Sequence, residues 1–292
     1  MQPIRIIHTS DWHLGQYFMG QSRQAEHAKL IDWLAAEISR HQVDVVLIAG
    51  DVFDSAAPPS YARELYSRLI LTVRDAGAQL VLLGGNHDSV SVLNESRDLL
   101  RALDTTVVAA VAESVDQQIV TLKNRAGEPA ATLCAIPYIR PHEVQRSRAG
   151  QSAEDKQRSL QQAIATHYDE LFAAAKASNK DLPVVMTGHL TTVGASASES
   201  VREIYVGSLQ AFPANGFPAA DYVALGHIHR PQRVGSSEHI RYSGSPIPLA
   251  FDEAGQQKQV NLLTFNAENT QGLSIDSLPV PCFRRLASIR GS

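Results

Sequence analysis

Short apolar segments alternate with amphipathic helical patterns in the first third of the chain, and this alternation leaves few folds open. The segments "IRIIHTS", "VDVVLIAG" and "AQLVLLGG" have the length and composition of buried strands. The stretch 23–41 between the first two places apolar residues at helical spacing: Leu30, Ile31, Leu34 and Ile38. A second helix is predicted over 58–77, where two prolines come first and Gly77 comes last. Strands that alternate with helices in this way predict an α/β fold.

Beyond residue 105 strand patterns dominate, and one long helix is predicted over 153–178. Six segments have strand composition: "TTVVAAV", "QQIVTLK", "ATLCAIP", "DYVALG", "HIRYSG" and "VNLLTF". The polar stretches 140–152 and 191–200 are predicted to be loops, and the second is small and flexible enough to border an active site.

The composition argues against several classes of protein. Of the 292 residues, 44% are hydrophobic and 19% are charged, which is typical of globular proteins. The two cysteines, Cys134 and Cys282, form neither a disulfide framework nor a CxxC zinc site. We find no signal peptide and no apolar run long enough to span a bilayer, so we expect a cytoplasmic protein without a membrane partner. A net charge of −4 argues against a positively charged coat for nucleic acid, although bound metal ions would add cationic charge.

Carboxylate, amide and imidazole side chains directly follow four of the predicted strands and one further apolar run, "VVMTG". They are Asp11, His13, Asp51, Asp54, Asn86, His87, Asp88, His189, His227 and His229. Taken alone, each is better explained as a turn former or a surface residue. Together they place five of the eleven histidines at strand ends beside carboxylates, which is hard to explain structurally. Ligand sites in α/β sheets form outside the carboxyl ends of strands, so we predict that these residues converge.

Imidazole nitrogens with carboxylate and amide oxygens form a donor set without thiolate. Such a set suits divalent manganese, iron or zinc at a catalytic site, and it does not suit a structural zinc site. The candidates are too many for one ion, and two ions about 3.5–4 Å apart would need a bridging carboxylate. Two such ions bring four positive charges, of which Asp11 and Asp51 cancel two. The remaining charge would hold a phosphate on an acidic protein.

Five motifs in order carry a family resemblance: "DWH", "GDVFD", "GNHD", "GH" and "GHIH". They resemble the motifs of the calcineurin-like metallophosphoesterases. Longer stretches, among them "GNHDSVSVLNESRDLL" and "RYSGSPIPLAFDE", are similar to the bacterial DNA-repair nucleases of that family. The resemblance covers essentially the whole chain and implies a four-layer α/β/β/α sandwich.

The resemblance also implies roles for individual residues. One metal ion would be held by Asp11, His13, Asp51 and His229, and the other by Asp51, Asn86, His189 and His227. Two manganese ions are implied, bridged by Asp51. His87 would face the phosphate and protonate the leaving oxygen, and Asp88 would orient the ring of His87. Asp54 receives no catalytic role, because archaeal relatives carry there a histidine that contacts substrate.

The implied activity is a manganese-dependent DNA exonuclease and endonuclease acting on duplex ends, hairpins and single strands. An ABC-type ATPase would be the partner, and a homodimer would form through helices that carry Leu65, Leu69, Leu99 and Leu103. The alternative for these leucines is that they face their own sheet. Residues 1–278 would form the nuclease domain, and 279–292 would begin a linker to a capping domain that lies outside this chain.

Two other functions share the predicted metal site. A phosphatase or cyclic-nucleotide phosphodiesterase would use the same chemistry, and a catalytically silent scaffold could keep the metals without His87. Arg23, Arg63 and Arg97 could touch phosphates, but a solvated helix face explains each of them as well.

Overall fold

The computed structural model of the protein describes residues 3–145, 152–201, 211–266 and 272–287, which form two large β-sheets flanked by helices. The strands are β1 (Ile4–Thr9), β2 (Tyr17–Phe18), β3 (Gln21–Ser22), β4 (Val45–Ile48), β5 (Gln79–Leu83), β6 (Thr105–Val108), β7 (Ile119–Lys123), β8 (Pro129–Cys134), β9 (Val184–His189), β10 (Tyr222–Gly226), β11 (Gln232–Arg233), β12 (Ile240–Tyr242), β13 (Gln259–Phe265) and β14 (Leu273–Pro279). The α-helices are α1 (Gln24–His41), α2 (Ser60–Asp75), α3 (Val90–Asn94), α4 (Arg97–Arg101), α5 (Pro141–Val144) and α6 (Ala153–Ser178). Short 3-10 helices span Val115–Gln118, Ala214–Gly216 and Phe251–Glu253.

Parallel strands dominate both sheets. The first sheet has the order β14-β13-β1-β4-β5-β6, with β1, β4, β5 and β6 parallel and β13 and β14 added antiparallel. The second has the order β11-β12-β10-β9-β8-β7, with β8, β9, β10 and β12 parallel. Parallel neighbours need crossover connections, which α1, α2 and α6 supply.

Strand residues alternate between two apolar layers, because successive side chains point to opposite faces of a sheet. In β4, Val45 and Leu47 pack into the cluster between the two sheets, whereas Val46 and Ile48 pack beneath α1 and α2. A third apolar cluster lies between the second sheet and α6. The layers are therefore helix, sheet, sheet and helix, which confirms the predicted four-layer α/β/β/α sandwich.

Most predicted elements are present. The helix predicted over 153–178 is α6. After β5 the chain forms the two short helices α3 and α4. Within the predicted loop 140–152 the structure forms the short α5, and 146–151 lie outside the described residues.

The C-terminal segment remains attached to the first sheet and to α1. Val280 is buried, and Phe283 packs against the apolar cluster beneath α1 and α2. Nε of Arg284 lies 3.4 Å from Oε2 of Glu26. The predicted domain boundary after residue 278 stays a prediction. Within the described part of the chain, none of the helices is both long and apolar enough to cross a membrane.

Candidate metal centre

The loops after β1 and β4 are joined by backbone hydrogen bonds, and together they place three of the predicted ligands. The amides of Asp11 and His13 donate to the carbonyl oxygens of Gly50 and Asp51, each at 3.0 Å. Asp11, His13 and Asp51 have φ values of 54°, 48° and 51°, in the left-handed region that non-glycine residues seldom occupy. Such conformations persist where the surroundings determine them, and they cluster at functional sites.

Two glycines allow the strand ends to approach one another. A Cβ on Gly85 would collide with the carboxylate of Asp51, and one on Gly50 would collide with the ring of His189. The glycines of "GDVFD" and "GGNHD" are therefore required by the closeness of the loops that carry the polar residues.

Asp11, His13 and His229 form the first group of candidate ligands. Each of these buried residues offers one donor atom, and the three atoms lie within 4.8 Å of one another. Nε2 of His229 is 4.0 Å from Oδ1 of Asp11. The Asp11 carboxylate is held by the hydroxyl of Ser10, at 2.6 Å, and by the backbone amide of His227, at 3.0 Å.

The second group comprises Asp51, His189 and His227, whose donor atoms also lie within 4.8 Å of one another. The amide oxygen of Asn86 joins them, at 3.0 Å from Nε2 of His189 and 3.2 Å from Nδ1 of His227. Residues from the ends of β4, β5, β9 and β10 thus meet at one edge, although they are far apart in sequence.

Asp51 lies between the two groups. Its Oδ2 is 3.3 Å from Nε2 of His189 in the second group and 3.6 Å from Nε2 of His13 in the first. Its Oδ1 accepts a hydrogen bond of 2.9 Å from the backbone amide of His87. This is the position that a bridging carboxylate would need.

The residues present fit divalent metal ions. Nε2 of His13 and Nε2 of His227 are buried and lack a hydrogen-bond partner among the described residues. Leaving a buried polar atom unpaired costs about 1–3 kcal/mol, so Nε2 of His13, which faces Asp51 at 3.6 Å, calls for an additional partner such as a metal ion. The donors are imidazole nitrogens and carboxylate or amide oxygens, a set that several divalent metals accept.

Burial and neighbouring charge oppose one another in setting the pKa values at the site. Burial favours a higher pKa for Asp51, but the charges of His189, His13 and His87 hold that pKa well below its usual range. Burial disfavours the charged form of His189, yet Asp51 raises the pKa of His189 to about 9. Burial and the charge of His189 lower the pKa of His227 well below its usual value. These directions favour protonated His189 near neutral pH, so metal binding there would release a proton, and they favour the forms of Asp51 and His227 that bind cations.

Asp88 does not have the predicted partner. Its Oδ1 accepts from the amide of Phe53 at 2.8 Å, and its Oδ2 accepts from the amides of Val52 and Gly85 at 3.0 and 2.8 Å. Nδ1 of His87 lies 2.8 Å from the carbonyl oxygen of Asp54. The prediction that Asp88 orients the His87 ring is therefore wrong, because the carboxylate joins the loops after β4 and β5 instead. Burial, with the charge of Asp51, raises the pKa of Asp88 to about 6.

Asp54 is closer to the site than its sequence interpretation implies. Its carboxylate Oδ1 lies 3.1 Å from Nδ1 of His13, and its carbonyl oxygen meets His87. Asp54 thus contacts Nδ1 of the candidate ligand His13 and Nδ1 of His87, the predicted acid. In the sequence, its position three residues after Asp51 is the feature that could have indicated its closeness to the site.

The expectation of a solvated surface is wrong for Arg23. This side chain is buried, and its guanidinium makes two 2.6 Å hydrogen bonds to Glu26 and one of 2.8 Å to the carbonyl oxygen of Pro248. Arg63 lies at the surface and pairs with Glu95 at 2.9 Å. The buried position of Arg23 does not support a phosphate contact.

Comparison with known proteins agrees with this geometry. A family model described as calcineurin-like phosphoesterase matches residues 4–231, a span that contains all the candidate ligands. The chain belongs to this family. The SbcD subunit of the nuclease SbcCD from Escherichia coli K12 is 51% identical over 290 residues, which is 99% of this chain and 71% of the relative. Its counterpart from Rhodobacter capsulatus is 37% identical over 269 residues, 89% of this chain and 66% of the relative. Within the family, the chain therefore groups with these nuclease subunits.

A solved structure shares the fold at low sequence identity. A dimetal phosphatase from Danio rerio has a TM-score of 0.52 and 12% identity, covering 96% of this chain and 97% of that chain. At this identity the likeness supports the sandwich architecture and does not bear on the substrate.

Proposed function

We propose that the protein is a nuclease that hydrolyses DNA phosphodiester bonds with two divalent metal ions. The observation that carries the proposal is the position of Asp51, within 3.6 Å of an imidazole from each ligand group. The 51% identity to a nuclease subunit favours nucleic acid over a small phosphate ester as the substrate. We assign it both exonuclease activity at duplex ends and endonuclease activity at hairpins or single strands.

The ligand assignment follows the two groups. One ion would be held by Asp11, His13, Asp51 and His229, and the other by Asp51, Asn86, His189 and His227. When bound, two such ions supply positive charge for the phosphate and activate water for attack. We favour manganese, because a mixed imidazole and carboxylate set without thiolate suits it.

His87 is the proposed acid for the leaving oxygen. Its Nδ1 must donate to the carbonyl oxygen of Asp54, because a carbonyl only accepts. A second proton on Nε2 would make the ring cationic, and the same carbonyl stabilises that form. The ring can then give the Nε2 proton to the departing oxygen.

A substrate panel tests the proposal. The purified chain would be incubated with manganese and an open duplex, a blocked duplex, a hairpin, a single strand and a small phosphomonoester. We expect cleavage of DNA and about two bound manganese ions per chain, measured by elemental analysis.

The Asp51→Asn variant should lose both the DNA cleavage and the bound manganese, because the bridging charge is gone and an amide donor would face the ions. Turnover of the phosphomonoester with every DNA uncut would contradict a nuclease. Activity that is higher with magnesium or zinc would contradict manganese.

The proposal extends to partners and location. The name of the E. coli relative, which makes it one component of SbcCD, supports an SbcC-type ABC ATPase as the partner. Cys134 and Cys282 are unpaired, which is consistent with the reducing cytoplasm.

A homodimer would use the groove between α2 and the pair α3 and α4. This groove encloses about 270 Å³, and Leu71 and Leu99 on its walls are 42% and 64% exposed. Leu103 also lines it. Leu65 and Leu69 are buried in their own core, so for these two the expectation of an interface role is wrong.

A further inference from the structure

His229 is connected to a buried ion pair through a serine hydroxyl, and its Nδ1 also lies 3.4 Å from Oε1 of Glu253. Its Nδ1 lies 2.6 Å from Oγ of Ser200, and that Oγ lies 2.7 Å from Oε1 of Glu253. Oε2 of the fully buried Glu253 accepts from Nζ of Lys258 at 2.6 Å. The sequence motifs assign no role to any of the three residues behind His229.

The counts of donors and acceptors determine where the protons lie. Nζ of Lys258 directs its three protons at the carbonyl oxygen of His229, at Oγ of Ser245 and at Glu253. An ionised carboxylate only accepts, so the proton between Ser200 and Glu253 must belong to the serine. A serine hydroxyl has one proton, and Oγ of Ser200 can then only accept from Nδ1–H of His229.

We infer that Glu253 and Ser200 are positioning residues that hold His229 with its proton on Nδ1 and so leave Nε2 available to a metal ion. The free Nε2 lies on the side of Asp11, at 4.0 Å from its carboxylate. This inference rests on the proposed role of His229 as a ligand. Partners that orient a metal ligand from behind change metal affinity by about 10- to 100-fold when they are lost.

The alternative is that the network only joins the loop of Ser200 to the turn that carries Glu253. Glu253→Gln separates the two roles. Oε2 of Glu253 accepts from both Lys258 and the amide of Leu249, the latter at 3.0 Å, so the oxygen of a glutamine must stay there. The NH2 group then faces Ser200 and donates to it, Ser200 donates to Nδ1 of His229, and the imidazole proton moves to Nε2. A purely structural role would lower stability without reversing this direction.

Nitrogen-15 spectra of the histidines, recorded at pH 8 on protein treated with a chelator, report the tautomer directly. We expect Nδ1–H for His229 in the parent and Nε2–H in Glu253→Gln, with the resonance identified by its loss in His229→Gln. Calorimetric titration with manganese should show the affinity of one site falling about 10- to 100-fold. The inference is overturned if the tautomer stays the same or if both affinities are unchanged.

Ser198→Ala is the matched control. The hydroxyl of Ser198 bonds to Oε1 of Glu253 at 2.8 Å and to Ser200, and not to the imidazole. We expect Ser198→Ala to keep the manganese affinity, Ser200→Ala to lose it and Ser200→Thr, which keeps a hydroxyl, to retain it. If Glu253→Gln does not fold, equal affinities for the two alanine variants overturn the inference. A parent protein that binds no manganese would refute the proposed function, while its tautomer would still test the positioning.

Discussion

At the scale of single residues, three consecutive side chains after β5 have three different tasks. Asn86 directs its amide oxygen toward His189 and His227, where the second ion would be held. The ring of His87 lies beside that of His13, with centroids 4.6 Å apart, and its Nδ1 is held by the carbonyl of Asp54. Asp88 ties its own loop to the loop after β4. In the proposed mechanism metal binding and proton transfer are therefore assigned to different residues, and a substitution should remove one without the other.

His87→Gln is expected to lose DNA hydrolysis and keep the metal ions. The side chain supplies the proposed proton, and a positioned acid contributes about 10²- to 10⁴-fold to a rate. The contact of His87 with Asp51 is made by the backbone amide, which the substitution leaves in place. Single-turnover cleavage should fall by about that factor, while elemental analysis still finds two manganese ions per chain.

His41→Gln is the control for that experiment, because His41 lies on α1 and pairs with Glu37 at 3.0 Å. It should cleave DNA at the parental rate. Loss of manganese from His87→Gln would show that His87 is a ligand and that the assigned role is wrong.

The candidate ligands could be predicted from sequence, whereas the residues behind them could not. Asp11 and His229 each follow a strand within a recognisable short motif. Ser200 lies 29 residues from His229 in the chain, in a stretch of small residues, and its importance comes from one contact through space. Asp54 receives no role from its motif, although its carboxylate reaches His13. Short motifs identify the polar residues at a strand end, but they do not identify the residues, distant in sequence, that contact them.

At the scale of elements, the interior strands were predictable, whereas the edge strand β14 was not. The strands in the centre of both sheets are buried on two faces and read as continuous apolar runs. β14 lies at the edge of the first sheet, and most of its residues are half-buried or exposed. Its segment "LSIDSLP" lacks the apolar run that marks the others. Its pairing with β13 depends on backbone hydrogen bonds that leave little trace in composition.

The layer between the sheets contains a histidine that should make stability depend on pH. His8 on β1 is fully buried, with Nε2 3.2 Å from the carbonyl oxygen of Leu225 and Nδ1 3.0 Å from the hydroxyl of Tyr222. Burial lowers the pKa of His8 to about 3, from 6.5 in the unfolded chain. Below pH 6.5 His8 binds a proton in the unfolded state but not in the folded state. The free energy of unfolding therefore falls as the pH falls. The loss continues down to about pH 3 and amounts to about 2 kcal/mol at pH 5.

Urea unfolding of His8→Gln, which removes the titrating group, checks this contribution. Between pH 7 and pH 5 the parent should lose about 2 kcal/mol more than the variant. A chelator would be present throughout, so that release of metal ions does not contribute. Equal losses in the two proteins would show that His8 is not the source of the dependence.

At the scale of the whole molecule, a negative net charge is compatible with a negatively charged DNA substrate. The chain has 30 acidic residues against 26 lysines and arginines. Several surface arginines are paired with carboxylates, such as Arg63 with Glu95 and Arg101 with Asp98. Positive charge for an anionic substrate would therefore come chiefly from the ions at the carboxyl ends of the strands. None of the candidate ligands lines the apolar groove on α2, α3 and α4, which is the surface proposed above for association with a second copy.

Leu99→Glu is expected to convert a dimer into a monomer. Leu99 is 64% exposed on α4 and lines the apolar groove. Burying a carboxylate there would cost far more free energy than an apolar contact contributes. Light scattering coupled to size-exclusion chromatography would measure the mass of parent and variant across a range of concentrations. Val193→Glu is the matched control, because Val193 is 58% exposed and does not line the groove.

We expect the parent and Val193→Glu to have twice the mass of Leu99→Glu. A dimer that survives Leu99→Glu would place the interface elsewhere, and a parent that is monomeric at every concentration would contradict self-association of this chain.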